Sequence, residues 1–205
     1  MSSKSEPRRD KARTRQGILD AAWDLVRVQG AEVSMADIAR AAGVSRQLVY
    51  LNFTSRGGLL MELVRRADER FAIKAAFDEA ARTGDAQARL AGCLRAWFRF
   101  VREIDPVARD LVRLRDTDAD AAAAWEDRMS DLRSWWLALL LDLEREGALV
   151  PGWTAARAAD HVWASSSVQV WGLYVRDCGW SEAETEAHLL TGICQLVLAG
   201  DWCGR

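Results

Sequence analysis

Arg46, Gln47 and Leu48 stand side by side, and each carries a different way of touching a base pair. A guanidinium offers two donors to guanine O6 and N7, a carboxamide matches adenine, and a leucine branch packs on a thymine methyl. Other chemistry-bearing residues form poorer sets. His161 and Ser165 lie four apart, on one face if the segment is helical, with further serines at 166 and 167. Nucleophilic catalysis would also need a third group to orient the base. The only histidines, His161 and His188, form no HxxxH or ExxH pair, so the sequence offers no metal-ligand set. The cysteines at 93, 178, 194 and 203 follow no CxxC spacing, and no apolar leader precedes them. Reduced thiols in a cytoplasmic protein are expected. No catalytic residue, metal or cofactor is assigned.

The elements that would position residues 46–48 are legible around them. Ser34 is a good N-cap, and Asp37 three residues later supports the first turn of a helix over 35–42. Ile38 and Ala39 face inward, and Gly43 can take the left-handed conformation that ends the helix. Val44 plugs the corner. Ser45 caps a second helix over 46–51, with Val49 inward. Two short helices joined by a glycine turn form a helix-turn-helix, which sets the N-terminal end of its second helix against base edges.

The run IARAAGVSRQLVYLNF, followed by SRGGLL, resembles the DNA-binding signature of the tetracycline-repressor (TetR) family. The match is ungapped and spans about the first quarter of the chain. The resemblance implies an all-α protein: a three-helix helix-turn-helix head, joined by a long helix to a helical body that binds an effector and dimerises. It also implies that Tyr50 donates its hydroxyl to a phosphate. Asn52 takes a position where a phosphate-facing histidine is frequent, and Arg56 replaces the usual lysine. With the caps Ser34 and Ser45, these residues and 46–48 are the expected DNA-binding set. A base reader on the first short helix is missing, since Met35 and Ala36 are apolar.

Residues 1–15 are polar and expected to form an unstructured basic arm, with Lys4, Arg8, Arg9, Lys11, Arg13 and Arg15 available to phosphates. Ile18, Leu19, Ala22, Leu25 and Val26 predict a first helix ending near Gly30. Thr54 or Ser55 starts a long helix whose first turn holds Gly57 and Gly58, a departure from the family that either loosens the joint or is sequence drift without consequence. The domain boundary is placed there, with residues 1–56 as the head and 57–205 as the body. A helix through Leu90–Val101 should end before Pro106, and a short one over 107–115 should follow. A long helix carrying Trp125 to Leu143 stops at Gly147. Two last helices are predicted over 155–177 and 182–199, with Ser181 as cap. The longest apolar run, residues 135–141, is too short to span a bilayer.

Ten tryptophans are many for 205 residues. Trp97, Trp125, Trp136 and Trp163 fall on expected inward faces, where they either pack as core or line a pocket for a flat, hydrophobic or cationic effector. Met129, Asp131, Ser166 and Gln169 are candidate companions. Gly172, Leu189, Ile193 and Leu196 fit the family's four-helix dimer interface, with a contact inside the chain as the alternative for Gly172. Charge agrees with a head that meets a polyanion. Residues 1–56 hold ten Lys/Arg against six Asp/Glu, while residues 57–205 hold eighteen against twenty-four. The expected function is that of a homodimeric transcriptional regulator, most simply a repressor. It would leave a double-stranded DNA operator when a small molecule binds. An activator, a regulator answering to a protein partner, and an enzyme using His161 are the alternatives; the acidic body disfavours a DNA-packaging protein.

Overall fold

The computed structural model describes residues 6–29 and 33–200. Lys4, Gly30 and Cys203 lie outside the described residues. Ten α-helices and one π-helical turn make up the regular structure among the described residues. The chain divides into two compact units, one of residues 1–67 with 106–125, the other of 68–105 with 126–205.

The first unit begins with α1, Glu6–Gln29. The expected unstructured arm is therefore helical from Glu6 onward. Residues 10–16 contain several strong helix formers and run directly into the amphipathic segment, so the helix propagates back through them. Ile18, Leu19, Ala22 and Val26 are buried. Arg15, expected to trail free, pairs with Glu62 at 2.9 Å and lies 4.9 Å from the Phe53 ring centroid. Next come α2, Met35–Ala41, and α3, Arg46–Asn52. Ser34 and Asp37 form a full capping box, Ser45 accepts the N–H of Leu48, and Gly43 turns at φ 65°. Val49, Ile38 and Phe53 are buried beneath. Helix α4, Arg56–Phe71, then brings Leu59, Leu60, Leu63 and Val64 into the core.

Gly57 is no loosening of this joint. A Cβ there would stand 2.5 Å from the Ala121 Cβ and 2.9 Å from its backbone N, so the start of α4 meets the chain at Ala121 backbone to backbone. The Gly57 N–H donates to Asp118 Oδ2 at 3.3 Å, Thr54 Oγ1 donates to Asp120 Oδ2 at 3.4 Å, and Ser55 Oγ accepts the Gly58 N–H at 3.0 Å. Ser55 is thus the cap, and Thr54 is a tie to Asp120.

In the second unit, Ala72 takes a left-handed conformation (φ 46°) and separates α4 from α5, Ile73–Ala80. Helix α6, Ala86–Leu114, runs through Pro106 without a break, where two helices were expected. Proline forfeits one backbone bond and strains the turn before it. Against that, Ile104, Val107, Ala108 and Leu111 continue one buried stripe across it. Helix α7, Ala119–Arg145, ends at Gly147 (φ 69°).

The single helix expected over 155–177 is interrupted. Helix α8, Ala155–Ser165, stops; α9, Val168–Gly172, restarts under the Ser167 cap and passes into a π-helical turn, Leu173–Asp177. Ser166 Oγ bonds back to the Val162 carbonyl at 2.6 Å, and the Ser166 carbonyl accepts Trp97 Nε1 at 2.7 Å. Side chains thus satisfy backbone groups that a continuous helix would have paired. Helix α10, Glu182–Val197, starts at Ser181 with a second capping box. Its far end is pinned by an antiparallel bridge between Leu149 and Leu198. No helix among the described residues is long and apolar enough to cross a membrane.

Candidate nucleic-acid interface

On the seven-residue helix α3, Val49 points into the core and the opposite side carries what remains. Arg46, Gln47 and Tyr50 are exposed, and Leu48 is half-buried. The Arg46 guanidinium lies 5.5 Å from the Tyr50 ring centroid and its Nη2 is 3.5 Å from the Tyr50 hydroxyl. An i, i+4 stack of this kind holds a long cation over the surface and limits its rotamers. The structure therefore brings Arg46, Gln47 and Tyr50 onto one outward face.

The other expected contacts are placed differently. Ser34 and Ser45 spend their hydroxyls on the caps of α2 and α3. Asn52 turns back into its own helix: Nδ2 donates to the Leu48 carbonyl at 2.8 Å, while Oδ1 is buried. Arg56 is half-buried, and its Nη2 donates to Asp110 Oδ2 at 2.7 Å. Asp110 is itself only 2% exposed. Burial pushes its carboxyl above the usual carboxylate range, and the Arg56 charge pulls it part of the way back. Arg56 thus locks α4 inside the first unit. Leu51, by contrast, was passed over, although it is 71% exposed. Its two-residue offset from Val49 puts it on the outer side of a helix, which was readable from periodicity alone.

The expected effector residues differ in how deeply they lie. Trp97 and Trp136 are buried, the latter with its ring 4.8 Å from that of Phe77 in a T-shaped contact. Ser166 is fully buried in the α8–α9 break, Met129 and Trp163 are half-buried, and Gln169 and Asp131 are exposed. Trp125 is buried and belongs to the first unit, the others to the second. Two grooves of the second unit, between α5 and α6 and between α7 and α8, are lined by other residues.

Gly172 is covered by its own chain. A Cβ there would fall 1.8 Å from Arg176 Nη2, and Arg176 Nη1 holds both oxygens of Asp105 at 2.6 and 2.7 Å. Leu189 and Ile193 are buried, whereas Leu196 is 49% exposed. Leu173 and Trp180 are also exposed. Ser165 Oγ lies 3.4 Å from His161 Nδ1, and the edge-on Trp153 ring is 5.5 Å from the imidazole. Burial lowers the His161 pKa. Among the described residues no group of three or more His, Cys, Asp or Glu side chains could hold a metal ion.

Residues 18–63 match the family model for bacterial regulatory proteins of the tetR family. The HTH-type transcriptional regulator AlkX of Mycobacterium tuberculosis is 39% identical over 61 residues. That match covers 29% of this chain and 29% of AlkX, so under a third of that relative's length is spanned. Solved structures resemble the whole chain. NalD of Pseudomonas aeruginosa, the secondary repressor of the MexAB-OprM multidrug efflux pump, has a TM-score of 0.69 at 22% identity over 95% of this chain and all of that one. A Saccharomonospora viridis protein in complex with choline gives 0.72 at 20% identity over 92% of this chain and all of that one. A TetR-family regulator of Agrobacterium tumefaciens gives 0.71 at 20%, with the same coverage. At such identities the likeness speaks for the fold. Taken with the ungapped motif and the capped α2–α3 pair, the match over residues 18–63 shows that this chain carries a DNA-binding head of the tetR-family type, on an all-α chain with the fold of those solved regulators.

Proposed function

We propose that the chain is a homodimeric, effector-responsive repressor that acts in the cytoplasm. Two copies of α3 enter successive major grooves of a pseudopalindromic operator, about 34–36 Å apart. The observation that carries this reading is the outward face of α3, where Arg46 is stacked on Tyr50 beside Gln47. Arg46 reads guanine and Gln47 adenine. Leu51 and the exposed part of Leu48 meet thymine methyls, and the Tyr50 hydroxyl meets a phosphate. Asn52 and Arg56 support the element from inside. NalD, a repressor in name, favours repression over activation for a chain of the same fold.

Effector binding in the second unit biases the spacing of the two heads, a coupling of about 1–3 kcal/mol in regulators of this kind. The test is Arg46→Ala. Discrimination between the native upstream operator and random DNA should fall by about 1–3 kcal/mol, with fold and dimer intact. Electrophoretic or fluorescence binding over a salt series measures it, and undiminished discrimination would remove Arg46 from the interface.

A further inference from the structure

Arginines around the two short helices are held in two ways. Arg40 pairs with Asp37 at 2.9 Å, and Arg56 pairs with Asp110 at 2.7 Å. A carboxylate that orders an arginine also offsets its charge. Arg46 is ordered by Tyr50 instead, through the ring 5.5 Å from its guanidinium carbon and the hydroxyl 3.5 Å from its Nη2. Ring and hydroxyl are both neutral, so this restraint leaves the positive charge whole for a polyanion. A carboxylate one turn along would hold the same cation at the same spacing, but it would set an anion on the surface that meets phosphates.

Both side chains are exposed, Tyr50 with 41% of its surface open. A long side chain that is loose in solvent loses its rotamer freedom when it grips a base. The stack removes part of that freedom in the free protein, which is preorganisation for binding. The hydroxyl has capacity to spare. Its oxygen accepts from Arg46, and its own proton remains available to a phosphate. The guanidinium gives up one N–H and still has the pair that guanine O6 and N7 require. Phosphate, hydroxyl, guanidinium and base then form one chain of hydrogen bonds in which each polarises the next.

We propose that Tyr50 is a positioning residue for base recognition: it touches no base, but it presets Arg46 and ties it to the phosphate that fixes the register of α3. The inference rests on the regulator reading above, in which Arg46 meets guanine, and it names what sharpens that contact.

The test is a double-mutant cycle in the full chain. Binding is measured to a duplex of the native upstream region and to a scrambled duplex of the same composition. Tyr50→Leu should lower the ratio of the two affinities about two- to tenfold, and Tyr50→Phe, which keeps the ring, should lower it less. In the Arg46→Ala background both changes should weaken the two duplexes alike and leave the ratio where Arg46→Ala has put it. Independently of DNA, NMR relaxation of the Arg46 side-chain Nε should show lower order in Tyr50→Leu, with circular dichroism unchanged. Three results would each overturn the proposal: an intact ratio in Tyr50→Leu, the same loss of ratio with and without Arg46, or unaltered Arg46 order. Failure of the regulator reading looks different. There Arg46→Ala itself leaves the ratio untouched, or the upstream duplex is not preferred at all, and the proposal falls with that reading.

Discussion

Two neighbouring glycines at the start of α4 do different work, and the difference is measurable. Gly57→Ala gains about 1 kcal/mol of helix propensity at most, but its methyl must displace the backbone of Ala121. Overpacking against a backbone costs about 1–3 kcal/mol, so this variant should be destabilised. Gly58→Ala meets the Ser55 hydroxyl at 3.4 Å and that of Thr54 at 3.7 Å, ordinary contacts, and should be neutral or slightly stabilising. Urea unfolding of the pair checks both signs. From sequence alone the two positions were indistinguishable, since nothing local to SRGGLL reports a residue 64 positions downstream. Arg56 follows the same rule, since its partner Asp110 lies 54 positions on. Asn52 does not: its partner, the Leu48 carbonyl, is one turn back in the same helix, and motif position alone pointed the residue at DNA.

At the scale of elements, the capped helices were the most legible. Ser34, Ser45 and Ser181 each announce a helix by a side chain that reaches only three residues, so no long-range information is needed. The Ser181 cap gives a pH prediction. The Ser181 hydroxyl, and then its backbone N–H, donate to Glu184 and hold its carboxyl below the ordinary value of 4.5. A carboxylate depressed in the folded state contributes stability that is present above its unfolded pKa and is lost as pH falls through the folded one. In Ser181→Ala, the Glu184 titration followed by NMR should move back up towards 4.5, and the acid-side loss of α10 stability specific to the native cap should vanish. A Glu184 titration unmoved by the substitution would remove the cap as the cause. Helix interruptions were illegible where they depend on distant groups. The α8–α9 break needs Trp97, some seventy residues earlier, to take up the Ser166 carbonyl, and Pro106 is carried through α6 by a buried stripe that a local rule against proline ignores.

For the whole molecule, the uneven charge was visible at once, and so was the all-α class, because periodic apolar residues and scarce proline leave few alternatives. The helical body was legible as a succession of segments, but which of its faces are open was not. Aromatic content drew attention to tryptophans that are largely buried, while the groove between α5 and α6 is made of alanines that no motif marks. Dimerisation gives the prediction at this scale. Leu196 keeps half its surface exposed on a helix whose Leu189 and Ile193 are already committed inside the chain. If the proposed dimer uses α10, Leu196→Glu should shift sedimentation towards the monomer and weaken operator binding, with helicity preserved. A variant that sediments as the native protein does would move the interface elsewhere.

The ties from Arg56 to Asp110, Gly57 to Asp118 and Thr54 to Asp120 join residues 54, 61 and 66 positions apart. A ribosome making this chain therefore releases all three helices of the DNA-reading end well before the stretch that fastens them. Chains grow at about 5–20 residues per second, so the segment waits several seconds for its missing piece. A nascent chain stalled before residue 106 would present α3 on an unfinished support, and competence to grip an operator would arrive only once more than half of the polypeptide had been made.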